Sequence, residues 1–352
     1  VLSHDYESDI ERRRARDVAR LVRRRRQLVR EAKLVGQLQH NNILRVHDLK
    51  RIEDEYFIVM EYIDGIDLAQ AIYVHQQQGL TFPLSIFFHV ALSLCEALEF
   101  AHNAQDFDGR PMELIHRDLK PSNVLIHHRG VVKLTDFGIA FVGDGTHTGE
   151  VVKGTANYMS PEQAAGAEKL TPASDIFSLG AVFWEMLTLE RLVTGSNALS
   201  VLHRIQTMNV GLTEIANKGI EPGLRMIILR MLAKKRDLRY QAVSAVLMDL
   251  RFVADQMKVD LSPAALRQYC AKITNLARRP DLAQDVEEPG EPRVSTAVMD
   301  DAQGSTEIDS LLPTPPRGQL VPDVETTTDN RGTGSPARDQ DAVGRTTSVV
   351  ET

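Results

Sequence analysis

Cysteine is scarce in this sequence, with two residues, Cys95 and Cys270, among 352. Neither has a neighbour at metal-ligand spacing. That argues against a disulfide framework or a zinc site and fits a reducing cytosol. No stretch reads as the ~18–20 apolar residues of a membrane span, and no signal peptide is visible. No membrane segment is therefore expected in the chain as given. The first residue is Val1 rather than methionine.

Aromatic residues are missing altogether from 281–352, which carry seven prolines and many Thr, Ser and Gly. Fifteen Asp/Glu against five Arg give this stretch −10, so the rest carries +3 of the net −7. Such a composition buries too little apolar surface to offset the entropy of ordering, and a disordered tail is expected. The whole is 43% hydrophobic and 25% charged, the balance of a soluble globular protein.

Residues 11–38 read as one helix, with apolar residues near a 3.6 period. Ten arginines fall between 12 and 30. No aromatic residue interleaves with them, so a stacking platform for single strands is lacking. They read as a solvated helix face, and no nucleic-acid partner is expected. ILRVHDL and YFIVMEY, separated by RIEDE, read as an antiparallel hairpin. Helices are expected over 68–78 and 84–103. DFDGRP carries the Asp-Gly signal of a tight turn. NVLIHH and VVKLTD read as two short strands around His128, Arg129 and Gly130. From 174 to about 279 the chain is mostly helical, and DIFSLGAVFWEMLT is apolar nearly all round, the mark of a buried central helix.

HRDLKPSN (116–123), DFG (136–138) and SPE (160–162) stand in this order. Over roughly residues 1–252 the chain resembles the eukaryotic-like Ser/Thr protein kinases, with a bacterial flavour in the insertion QDFDGRPMEL. The resemblance implies an α+β bilobal fold. Residues 1–63 would be a partial, strand-rich N-lobe, 64–253 a larger helical C-lobe, 254–280 a helical extension and 281–352 the acidic tail. It implies ATP and Mg²⁺, and Ser/Thr hydroxyls of proteins as acceptors. Asp118 would orient the hydroxyl and take its proton, and Lys120 would steady the γ-phosphate. Asn123 and Asp136 supply the hard oxygen that Mg²⁺ prefers. Lys120 and the Gly154–Thr155 pair both point to Ser/Thr specificity, with Thr155 touching the aspartate and lysine.

The same resemblance makes VMEYIDGIDL the hinge. Met60 would be the gatekeeper, the Glu61 carbonyl and Ile63 N–H would bond adenine, Asp67 would sit near ribose, and Leu125 would be the floor. Leu28, Glu31 and Val35 share one face of the first helix, with Glu31 as its regulatory glutamate. Val35, Val46, His116 and Phe137 would form a stacked spine. Glu162 should pair with Arg239, and Asp175 should hold the catalytic loop's backbone. Arg117 implies a phosphate-controlled activation loop, with Thr146 and Thr148 as candidates. Thr306 in STEIDS, once phosphorylated, would suit a phosphothreonine-reading domain.

Two family features are absent, the glycine-rich loop and the V-A-x-K lysine. Lys33 cannot substitute, lying two residues past Glu31. A chain broken just after that lysine explains both absences, with Val1-Leu2 finishing its strand. The alternative is a pseudokinase that binds partners without catalysis, although Asp118 and Asp136 are both retained. A small-molecule kinase would lack the SPE segment. With no span in view, a cytoplasmic location is expected.

Overall fold

The structure, a computed structural model, describes residues 35–277, apart from 53–54, 107, 138–154, 168, 212–214 and 216–217. Residues 11–34 with Glu31, the segment holding Thr146 and Thr148, and the tail with Thr306 lie outside the described residues.

The first described residue, Val35, is helical, and the chain turns at once, Leu38 N–H bonding the Val35 carbonyl. The first helix thus stops short of the expected 38. Strands β1 (Val46–Ile52) and β2 (Glu55–Met60) pair antiparallel, Val46 opposite Met60 and Ile52 opposite Glu55. The hairpin is as expected, but its first strand begins at Val46 because residues 42–44 pair elsewhere. Leu44 N–H bonds the Leu134 carbonyl at 2.9 Å, Leu134 N–H bonds that of Asn42 at 2.8 Å, and the Asn42 amide reaches the Val132 carbonyl at 2.9 Å. These bonds tie the hairpin's base to the strand that precedes Asp136.

A second, three-stranded sheet has the order β3 (Gly65–Asp67), β4 (Val124–His127), β5 (Val132–Leu134), all antiparallel. The helices are α1 (Leu68–Gln77), α2 (Leu84–His102), the short α3 (Pro161–Ala164), α4 (Pro172–Thr188), α5 (Ala198–Thr207), α6 (Pro222–Met231), α7 (Val243–Gln256) and α8 (Pro263–Ala277). A small strand-rich part thus leads into a helical one. Helix α4 is buried from Ala173 through Met186, as its all-round apolarity implies.

The chain does hold one stretch of membrane-span length and apolarity, where none was expected. Over an 18-residue window α2 has a mean hydropathy of 1.6, long and apolar enough by composition to cross a bilayer. Its apolarity has a different cause. The helix runs through the core, packed by α4, α7 and α8, with Phe87, Phe88, Val90 and Leu94 essentially inaccessible. A helix buried on several sides needs apolar residues all round, whatever its solvent.

Arg239 is the largest fully buried side chain among the described residues. Its Nη1 and Nη2 donate to the two Glu162 oxygens at 2.8 and 3.0 Å. Further bonds go to the carbonyls of Ala173, Ala233 and Lys234, and the guanidinium lies 4.9 Å from the Phe177 ring centroid. Burial pushes the Glu162 carboxyl up, but the bonds from Arg239 and Ser174 pull it further down, so its net shift is below the ordinary value. Arg239→Ala would strand Glu162 and three carbonyls. It is expected to lower folding stability by about 3–5 kcal/mol, measured by urea unfolding at pH 7. In the native protein this contribution is present above the unfolded carboxyl pKa and fades as pH falls through the lower folded value.

Candidate active site

Asp175, on the first turn of α4, is 1% exposed. Its Oδ2 accepts the His116 N–H at 2.8 Å and its Oδ1 the Arg117 N–H at 2.9 Å. His102 Nε2, at the end of α2, lies 2.8 Å from Oδ2. Burial pushes this carboxyl up, and the His102 hydrogen bond and charge, His116 and the backbone donor outweigh it, so Asp175 stays below its ordinary value. The loop-holding role expected of Asp175 is visible in these bonds. The clamp lets Arg117 take φ +68°, a left-handed conformation uncommon for a residue with a side chain. The Gln163 amide adds a bond to the Arg117 carbonyl at 2.8 Å.

The loop delivers three groups to one place. Asp118 Oδ2 lies 3.5 Å from Lys120 Nζ, and both side chains are about nine-tenths covered. The Asn123 amide nitrogen donates to the Asp118 backbone carbonyl at 2.8 Å and to Asp118 Oδ2 at 3.1 Å. Burial pushes the Asp118 carboxyl up to about 6, with nearby Asp136 adding to the rise and Lys120 and Asn123 opposing it. Thr135 N–H bonds the Asn123 carbonyl at 3.0 Å, so Asp136 follows directly on a residue tied to Asn123. Asp136 is exposed and has φ +59°. Two carboxylates that repel each other beside an asparagine make a hard-oxygen set suited to a divalent cation. The Asn123 amide nitrogen is spent on Asp118, which leaves the amide oxygen as the accepting side. His116 Nε2 lies 2.9 Å from the Thr135 carbonyl, and its ring packs at a tilt of 47° against that of Phe137, 4.6 Å between centroids. Burial lowers His116 to about 4, so it is a neutral prop. Val35 and Phe137 share the main core with Val46 packed against it, consistent with the expected spine.

The hinge expected to wall this cluster joins the two sheets and leads into β3, the neighbour of β4. Met60 ends β2, and residues 61–64 run without regular structure to β3. Glu61 N–H bonds the Arg45 carbonyl, and its carboxylate holds Lys133 Nζ at 2.6 Å and the Arg45 N–H at 2.7 Å. Ile63 is half-buried and Tyr62 exposed. At Gly65 a Cβ would fall 2.0 Å from the Ile126 carbonyl oxygen, so only glycine lets β3 lie this close to β4. Asp67 sits opposite Leu125 in that pairing. It is also the N-cap of α1, accepting the Gln70 N–H at 2.8 Å, a structural duty that the ribose expectation left out. The Thr155 backbone opens a 3₁₀ turn, and its side chain lies outside the described residues.

Compared with known proteins, residues 10–250 match the protein kinase domain. The chain belongs to the protein kinase family. A tyrosine-protein kinase of Myxococcus xanthus, MasK, is 34% identical over 218 residues, covering 61% of this chain and 33% of its own. The serine/threonine-protein kinase PrkC of Bacillus subtilis is 33% identical over 266 residues, with coverage of 73% and 36%. PknB of Mycobacterium tuberculosis, also a serine/threonine-protein kinase, is 36% identical over 230 residues, with coverage of 63% and 34%. The chain spans about a third of the length of these curated relatives. Within the kinase domain His102 and Gln163 are the supports that sequence reasoning missed. Neither lies within the quoted motifs, and each meets its partner only across the fold.

The raised Asp118 carboxyl has a consequence for stability. The folded form binds this proton more tightly than the unfolded chain, so the group's cost to stability grows between about pH 4 and 6 and is full above 6. Asp118→Asn removes the buried charge. We expect it to unfold at higher urea than the parent at pH 8, by about 1–2 kcal/mol, with the gap closing toward pH 4.

Proposed function

We propose that the parent protein is a serine/threonine protein kinase that moves the γ-phosphoryl group of Mg-ATP to hydroxyls on other proteins. The observation that carries this reading is the convergence of Asp118, Lys120 and Asn123 on one loop, with Asp136 tied in through Thr135. An acceptor hydroxyl within hydrogen-bond reach of Asp118 Oδ2 gives up its proton to that oxygen. The hydroxyl oxygen bonds the γ-phosphorus, and the bond to the β–γ bridging oxygen breaks, leaving ADP. Lys120 would hold negative charge on the transferred group. Asn123 and Asp136 would hold Mg²⁺, which screens the phosphate charge. A carboxyl near pKa 6 is ionised at neutral pH yet still basic enough to accept a proton. That Asp118, Lys120, Asn123 and Asp136 are all present disfavours the pseudokinase alternative.

The residue class is a separate question, because MasK is named as a tyrosine kinase. Lys120 two places after Asp118 and the names of PrkC and PknB favour Ser/Thr. Regulation by phosphate on Thr146 or Thr148 belongs to the same proposal. Arg117 Nε is buried and has no hydrogen-bond partner among the described residues, so a phosphate has a cation to meet. Recruitment of a phosphothreonine-reading domain by Thr306 is a further part of it, resting on sequence alone.

The full-length protein with radiolabelled Mg-ATP and a general protein acceptor is expected to yield phosphoserine and phosphothreonine on acid hydrolysis. Phosphotyrosine alone would overturn the specificity. Asp118→Asn should lower kcat by roughly 10²–10⁴-fold while nucleotide still binds. The parent's kcat/KM should fall about tenfold per pH unit below about 6, as Asp118 takes up its proton.

A further inference from the structure

We propose that helix α8 is a positioning element of the nucleotide site, with Tyr269 its positioning residue, acting through His75 on α1. This rests on the kinase reading above and goes beyond the family's domain, whose match ends at residue 250, ahead of α8. By sequence α8 is an appendage. By packing it belongs to the catalytic unit. Leu266, Cys270 and Ile273 are buried in the main core, and the helix lies against α1, α2 and β3.

Two contacts place α8 behind the wall that would hold the nucleotide. The first is at the β4–β5 turn. Gly130 has φ +86°, and a Cβ there would meet Leu266 Cγ at 3.1 Å and the Arg267 nitrogen at 3.4 Å. The turn between the strand bearing Leu125 and the strand leading to Asp136 is thus pressed against α8. The second is at the far end of α1. The Tyr269 hydroxyl lies 3.0 Å from His75 Nε2, the two rings stack at 5.8 Å, and Phe82 packs on both, at 5.0 Å from His75 and 6.1 Å from Tyr269. Burial lowers His75 and raises Tyr269, so both are neutral and the contact is an ordinary hydrogen bond in an aromatic cluster. The other end of α1 is capped by Asp67, the residue opposite Leu125 in the β3–β4 pairing. Helix α1 is ten residues long, so its rigid body links Tyr269 to the strand at the wall. Loosening either contact frees the wall to shift, while Asp175 keeps its hold on the His116 and Arg117 backbone just ahead of Asp118.

That separation makes the proposal testable as a split between binding and turnover. The variants are Tyr269→Phe and Leu266→Ala in the full-length protein, with Tyr240→Phe as a control. The control deletes one comparable hydrogen bond, 2.6 Å to Asp249, on the α6–α7 side. The readouts are polarisation of N-methylanthraniloyl-ADP, KM for Mg-ATP, kcat at saturating ATP, and the melting temperature. Tyr269→Phe and Leu266→Ala are expected to raise the nucleotide Kd and KM about three- to tenfold, with kcat within about twofold of the parent. The control should change the melting temperature alone. If both α8 variants lower the melting temperature and leave Kd and KM where they were, α8 is only structural and the proposal falls. Equal weakening by Tyr240→Phe would also overturn it. Failure of the unmutated protein to bind the nucleotide would bring down the kinase reading and this proposal together.

Discussion

One buried carboxylate, Asp175, holds the rest of the site in place. Its oxygens take the N–H groups of His116 and Arg117, and His102 Nε2 lies 2.8 Å from one of them. A burial this complete is unfavourable for a lone carboxylate, and it is tolerated because each oxygen is answered by a donor. The loop in turn can hold Arg117 at a positive φ because its own N–H and that of His116 are fixed from outside. The position of Asp118, one residue on, is therefore set by a helix 57 residues later in the chain. Since α4 is buried almost end to end, the core carries its rigidity to that loop.

The Glu162–Arg239 pair has a different part. It joins the start of α3 to the stretch between α6 and α7, and its five hydrogen bonds use donors that an apolar replacement could not supply. Its contribution is to fix where the segment after the activation loop rejoins the core. Gln163, the next residue, then bonds the Arg117 carbonyl. The two buried ionic centres are thus coupled through one side chain, and the catalytic loop is gripped by α4 on one side and by α3 on the other.

Much of this could be read in the sequence, and the reason is local. HRDLKPSN, DFG and SPE each keep their functional residues within a few positions, so spacing alone groups Asp118 with Lys120 and Asn123. The hairpin and the buried α4 followed from period and apolarity. What escaped depends on partners far apart in the chain. His102 meets Asp175 across 73 residues, Lys133 meets Glu61 across 72, and His75 meets Tyr269 across 194. Asp67 is the instructive middle case. An acid before an apolar helical run is a cap signal in its own right, and the family expectation about ribose drew attention away from it. Helix α2 was underestimated, since its 18-residue window is as apolar as a span and the sequence reading saw no such stretch.

Asp118 and Asp175 show how one residue type serves two ends. Both are buried carboxylates within the same loop-and-helix assembly. Asp175 receives two backbone N–H groups and a histidine, and its carboxyl stays below the ordinary range. Asp118 has Lys120 at 3.5 Å and one amide at 3.1 Å, with Asp136 close enough to repel it, and its carboxyl rises to about 6. The fuller hydrogen-bond set makes Asp175 a fixed charge that never needs a proton. The poorer set leaves Asp118 able to accept one. Stability and chemistry make opposite demands on a buried acid, and the fold meets both by giving the two aspartates different numbers of donors. The under-satisfied one is the carboxylate to which the proposed kinase reading gives the proton, and the satisfied one fixes the backbone just ahead of it.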